Sequence, residues 1–90
     1  MFDLIRIDPD DGAGLKNGWI LTLVKAGDDG KPITDRETQS PKVGYQVLVE
    51  NLLRWYHTSE VTSIISVDTV DEKTTVIFRT KNSTYKLEKS

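Results

Sequence analysis

The chain has 90 residues, of which 37% are apolar, with no cysteine and a net charge of −2. Size scaling leaves roughly 5,300 Å² exposed of about 14,800 Å² in the unfolded chain, enough burial for one small domain and no more. The missing thiols exclude a disulfide framework and a thiolate metal site, which fits a reducing cytosol, and the near-neutral balance disfavours non-specific nucleic-acid binding.

The opening Met1-Phe2-Asp3-Leu4-Ile5-Arg6 has no basic region followed by a long apolar run, and no stretch approaches a membrane span, so a soluble, unprocessed, cytoplasmic protein is expected. Asn82-Ser83-Thr84 matches a glycosylation acceptor, but without a secretion signal that chemistry does not reach it.

In chain order, Phe2, Leu4, Ile5 and Ile7 predict a first strand, stopped by Pro9 and the turn-rich stretch through Gly14. Trp19 to Val24 predicts a second strand whose near-continuous apolarity implies burial on both sides, and Asp28-Asp29-Gly30 supplies a hairpin tip. Residues 31–42 turn polar, with Pro32 and Pro41 excluding regular helix or a central strand. Two readings stand for this stretch: a mobile functional loop, or an irregular edge strand extending the hairpin.

From Gly44 alternation resumes, with Tyr45, Val47 and Val49 on one face and Gln46, Leu48 and Glu50 on the other. Glu50-Asn51 is expected to turn the chain into a further strand from Leu52 to Tyr56. A short helix over Val47–His57 is the competing assignment, because Val47, Leu48, Asn51, Leu52 and Trp55 also fall at helical spacing; strands are preferred.

Val61, Ile65 and Val67 alternate as a strand does, with Ile64 out of phase in a way a bulge would absorb, and Asp68 to Lys73 reads as a polar turn. Thr74 to Thr80 is the strongest strand pattern, being almost wholly β-branched or aromatic. Lys81-Asn82-Ser83 turns it back into Thr84-Tyr85-Lys86-Leu87, with Tyr85 and Leu87 facing the core. The expected fold is therefore all-β: a single domain over residues 1–90, an antiparallel meander forming an SH3-like barrel or a compact sandwich.

Chemistry-bearing patterns are sparse. Asp8-Pro9-Asp10-Asp11-Gly12 has a superficial likeness to a calcium loop, but Trp19 stands where the bidentate glutamate belongs. His57 is the sole histidine, so no transition-metal site can be assembled and no cofactor is expected. His57 precedes Thr58-Ser59, and His57 and Ser59 are expected to share a strand face, yet no third residue can be assigned to orient the imidazole. The acidic pairs Asp10-Asp11, Asp28-Asp29 and Asp71-Glu72 lie in turns, where solvated charge is the ordinary explanation, and Gly12-Ala13-Gly14 lacks the rest of a phosphate cradle. An enzyme is not expected.

Recognition fits the residues better. Trp19, Tyr45, Trp55 or Tyr56 can stack on a ring, while Arg54, Arg79, Thr58 and Ser59 can meet anionic oxygens, so the candidate ligand-binding set is Tyr45, Arg54, Trp55, Tyr56, His57, Thr58, Ser59 and Arg79. Arg54, Arg79, Lys81 and Lys86 would form a basic patch if neighbouring strands gathered them. The ordinary alternative for each aromatic is a core position with its polar atom at the boundary, and for each cation a solvated outer face.

The run Thr58-Ser59-Glu60-Val61-Thr62-Ser63-Ile64, followed by Thr80-Lys81-Asn82-Ser83-Thr84-Tyr85-Lys86-Leu87, resembles a pattern of small accessory proteins of bacteriophages, over about the second half of the chain. That resemblance implies a compact non-enzymatic protein in a bacterial cytoplasm, acting on a host protein or defence component or sequestering a signalling nucleotide; it carries over no site residues. Three functions follow as expectations. The first is a binding protein that inhibits a host protein or counteracts bacterial defence. The second is a homo-oligomeric sponge for a cyclic or dinucleotide signal, and the third an assembly module. A small domain without disulfides is also expected to form a homodimer or higher assembly.

Overall fold

The computed structural model describes residues 1–10, 12 and 14–90. Asp11 and Ala13, and so the readings that rest on Asp10-Asp11 and Gly12-Ala13-Gly14, lie outside the described residues. Eight strands are present among the described residues: β1 (Phe2–Asp8), β2 (Lys16–Gly18), β3 (Ile20–Ala26), β4 (Pro32–Asp35), β5 (Gln46–Glu50), β6 (Trp55–Val70), β7 (Lys73–Thr80) and β8 (Thr84–Lys89). No helix occurs among the described residues, as expected of an all-β fold. The helical alternative over Val47–His57 is overturned, because Leu48 and His57 sit opposite one another on antiparallel strands.

The strands form one antiparallel sheet in the order β2-β1-β8-β7-β6-β5-β3-β4. β5 to β8 make the expected meander, while β1 returns to pair with β8. Only Trp19 separates β2 from β3 in the chain, although they stand near opposite ends of the sheet, so the sheet must roll round on itself. At the seam, the Trp19 amide donates to the Glu50 carbonyl at 2.8 Å and the Asn51 side-chain amide donates to the Asn17 carbonyl at 3.1 Å. β2 and β5 share no ladder, so the chain and these seam contacts close the roll. Gly18 is required there: a Cβ would collide with the Glu50 carbonyl oxygen and lie 2.8 Å from Val49 Cγ1.

The roll encloses a single core of Phe2, Leu4, Leu21, Leu23, Val47, Val49, Val61, Val76, Phe78 and Leu87, with Tyr45 and Tyr85 packed against it. Both flanks contribute, so the rolled sheet is realised rather than two facing sheets. Phe78 and Tyr85 stack with ring centroids 5.5 Å apart, an arrangement worth a little beyond area burial alone.

Several elements depart from the alternation pattern. Trp19 lies outside the second strand and is 65% exposed, and burial in β3 is complete only from Leu21 to Leu23, because Ile20 faces outward. Residues 31–42 include a true edge strand, β4, paired with β3 from Leu23 to Ala26. The following loop is held by Asp35, whose carboxylate accepts from the Thr38 hydroxyl at 2.6 Å and from the Thr38 and Glu37 amides. Those bonds, with the nearby Lys42 ammonium, hold the carboxyl down at about 2.

Leu52 and Leu53 belong to a loop rather than a strand. Asn51 organises it: its side-chain oxygen accepts from the Leu53 and Arg54 backbone amides, and its backbone N–H donates to the Arg54 carbonyl. The expected turn over Asp68–Lys73 is tighter than the composition suggested. β6 runs on to Val70, and only Asp71 and Glu72, at φ of 50° and 66°, make the reversal, the left-handed pair that a two-residue hairpin needs. A register shift between Ile64 and Ser66 makes Ile65, not Ile64, the extra residue of the bulge.

β6 is 16 residues long and changes neighbour along its length. Its first part pairs with β5 as far as Glu60, whereas Val61 to Val70 pair with β7. The second part has only β7 beside it and forms an edge arm of the sheet, β7 being backed in turn by β8 from Thr74 to Arg79; the long axis of the molecule is 40 Å against 26 Å across. The folded chain exposes 5957 Å², more than the roughly 5,300 Å² that scaling gives for its size, as its elongated shape requires.

Candidate functional site

The roll has two outer faces of different character. Outside β1, β8 and β7 the side chains are largely charged: Lys73 pairs with Glu88 at 2.8 Å and Lys86 with the same carboxylate at 3.4 Å. The bond from Lys73 lowers the Glu88 carboxyl below its ordinary range and raises the Lys73 ammonium. This is an ordinary solvated, ion-paired surface.

Outside β3, β5 and β6 the register builds something else. Ile20, Glu50 and Trp55 form one row across the three strands, Thr22, Leu48 and His57 the next, and Val24, Gln46 and Glu60 the third. Trp55 and His57 stack with centroids 5.3 Å apart at 29°. Val24, Gln46, Leu48, Glu50, Trp55 and His57 line an open groove of about 430 Å³. Trp55 is 63% exposed, and beside it the Asn51-anchored loop holds out Leu52 and Leu53, 100% and 92% exposed.

A soluble domain rarely leaves this many large apolar groups together in water, and a rigid aromatic beside aliphatic side chains is the make-up of an interface hot spot. The rim is polar and mixed. Arg36 donates to the Thr22 hydroxyl at 3.1 Å, Arg54 closes the loop, and Glu50 and Glu60 supply carboxylates.

Of the residues singled out in the sequence, Trp55 and His57 meet in this groove and Arg54 stands at its rim. The others do not join them. Tyr56 and Thr58 alternate to the inner side, Tyr56 under the Lys16 ammonium at 5.3 Å and Thr58 buried, where its hydroxyl accepts from the Val47 amide at 3.1 Å and donates to the Ser59 carbonyl at 2.7 Å. Ser59 does not share a face with His57: a register shift opposite Val47 brings Glu60 into line instead. Tyr45 packs against the core with Lys25 and Lys42 over its ring at 5.2 and 4.9 Å. Arg79 lies on β7, with β6 between it and the groove-bearing β5. Arg79 and Lys81 border a polar hollow near Asp8 and Ser83, and Lys86 is bound to Glu88, so these cations form no basic patch around Arg54 and the solvated-face alternative describes them.

Sequence reasoning missed Ile20, Leu48, Leu52, Leu53 and Glu50 as site residues. Leu52-Leu53 directly after Asn51 was the available signal, since an apolar pair inside an asparagine-led turn has no core to enter. No group of three or more histidine or acidic residues able to hold a metal occurs among the described residues, and no helix among them is long and apolar enough to cross a membrane. The chain matches no protein-family model, no characterised protein and no solved structure.

Proposed function

We propose that this is a small non-enzymatic binding protein that grips an apolar segment of a protein partner on the outer face of β3, β5 and β6. One observation carries this reading: Trp55, Leu52 and Leu53 stand in solvent on a strand and a hydrogen-bonded loop whose geometry is fixed before any partner arrives. Preorganised aromatic and aliphatic anchors lose little conformational freedom on binding, so they contribute affinity that a floppy apolar loop would forfeit. The bacteriophage-type resemblance of residues 58–87 makes a bacterial host protein, a cellular enzyme or a defence component, the partner class, and inhibition by occupancy the mode of action.

Nucleotide sequestration fits this face less well. Glu50 and Glu60 stand in the rows where a ligand's phosphates would lie, and carboxylates repel them. The arginines flank the groove instead of lining it.

The test is capture from bacterial lysate by immobilised wild-type protein and by Trp55→Ala and Leu53→Ser variants, run side by side. A stoichiometric protein retained by the wild type and lost from both variants is the expected result. Equal capture by all three, or a thermal shift with a cyclic dinucleotide that survives in both variants, contradicts the reading.

A further inference from the structure

We infer that the edge part of β6, Thr62–Val70, is the pairing edge for a second copy of this chain, which would form a twofold dimer with a sheet continuous across both molecules. The edge that faces β5 is occupied only as far as Val61, whose amide and carbonyl bond Tyr45 and Gly44. Beyond Val61, among the described residues, no backbone bond reaches that edge, while the opposite edge is engaged by β7 except at the register shifts that pass over Thr62 and Ile65.

Free edges are usually blunted by proline, charge or shortness. The other edges here follow that rule. β4 begins at Pro32 and is 4 residues long, β2 has only 3, and the β6 edge left free below Val61 carries His57 and Glu60. The arm does not follow it. Asp68 is its single charge, and Ile64, Ile65, Val67 and Val70 are 36%, 51%, 58% and 67% exposed, with apolar groups on both faces of the strand.

The register favours this chain itself over a foreign strand. Val67 lies opposite the buried Val76 and so belongs to the core-side face, while Ser66 and Asp68 lie opposite Ile77 and Thr75 on the outer side. In an antiparallel pair of arms related by a twofold axis through Val67, each Val67 meets its own copy on the core side. Each Ser66 hydroxyl then lies opposite Asp68 of the second copy on the outer side, twice by symmetry. The one charge in the segment thus receives a hydroxyl donor instead of its like, and Thr69 falls opposite the bulged Ile64-Ile65 pair. Isologous pairing of this kind closes on itself, so it yields a dimer and not a fibre.

Light scattering on the full chain across a concentration series tests this directly. The wild type should reach twice the chain mass. Val67→Lys sets two ammonium groups against each other on the axis and should stay at the single-chain mass, with unchanged far-ultraviolet dichroism. Because the chain has no cysteine, Val67→Cys offers a second readout: mild oxidation with diamide should link it into a covalent dimer in high yield, while Thr75→Cys, one strand away, should not. Trp55→Ala should leave the dimer intact, which separates this surface from the groove. A wild type that stays at the single-chain mass throughout, a dimer indifferent to Val67→Lys, or equal crosslinking at positions 67 and 75 would each overturn the inference.

Discussion

The two parts of β6 are one strand in sequence and two environments in space. From Trp55 to Val61 the strand lies across the roll, with Thr58 and Val61 buried on one side and the stacked Trp55 and His57 outward on the other. From Thr62 to Val70 a comparable alternation of branched residues leaves nearly every side chain in solvent, because β5 has ended and only β7 accompanies it. Alternation therefore sets which side chains share a face. Whether that face is covered depends on how many strands run beside it, and on this point the first part lies within the roll while the second is an edge with β7 on one side alone.

The largest effect of substitution is expected in the core. Phe78→Ala removes a fully buried ring stacked on Tyr85 and should cost about 3–5 kcal/mol of unfolding free energy in urea titration, whereas Val67→Ala, measured in dilute protein, should stay within about 0.5 kcal/mol. Comparable losses at both positions would show that the arm is covered within a single chain. At the seam, Gly18→Ala should cost about 1–3 kcal/mol, since its methyl meets backbone that cannot move without opening the roll. Thr58→Val keeps shape but leaves the buried Val47 amide without an acceptor, an expected loss of about 1–3 kcal/mol by the same titration. Ser59→Val, beside it, should be nearer neutral.

The smallest effect is electrostatic and confined to the loop after β4. The Asp35 carboxyl is held at about 2, below its ordinary 3.8, so the fold favours its ionised form. Its stabilising contribution is full above about pH 4 and disappears as the pH falls through about 2. Carbon-detected titration of Asp35 should report that low midpoint, and Asp35→Asn should remove the associated pH dependence of the Thr38 amide shift. An Asp35 midpoint near 4 would mean that the Thr38 bonds are not held in solution.

Much of the fold was legible because period-two patterning and turn chemistry are local. Thr74–Thr80, the 81–83 turn and the inward Leu87 all follow from neighbouring residues, and the edge-strand reading of residues 31–42 matches β4. The site was legible only in part. Trp55 and His57 sit two apart on one strand, so their shared face could be read. The bulge that replaces Ser59 with Glu60 is set by the partner strand β5, and the removal of Tyr45 and Arg79 from the groove is set by which strands the roll brings together. Leu52 and Leu53 read as strand residues because apolar side chains normally seek a core, and the bonds that Asn51 makes keep them from one.

Site-specific photo-crosslinking in bacterial cells distinguishes the two outer faces as partner sites, with the crosslinking side chain placed at Leu53 on the groove rim or at Thr75 on the charged outer face. One defined covalent protein adduct from position 53 and none from position 75 is the expected result. Adducts of the same pattern from both positions, or from position 75 alone, would contradict it.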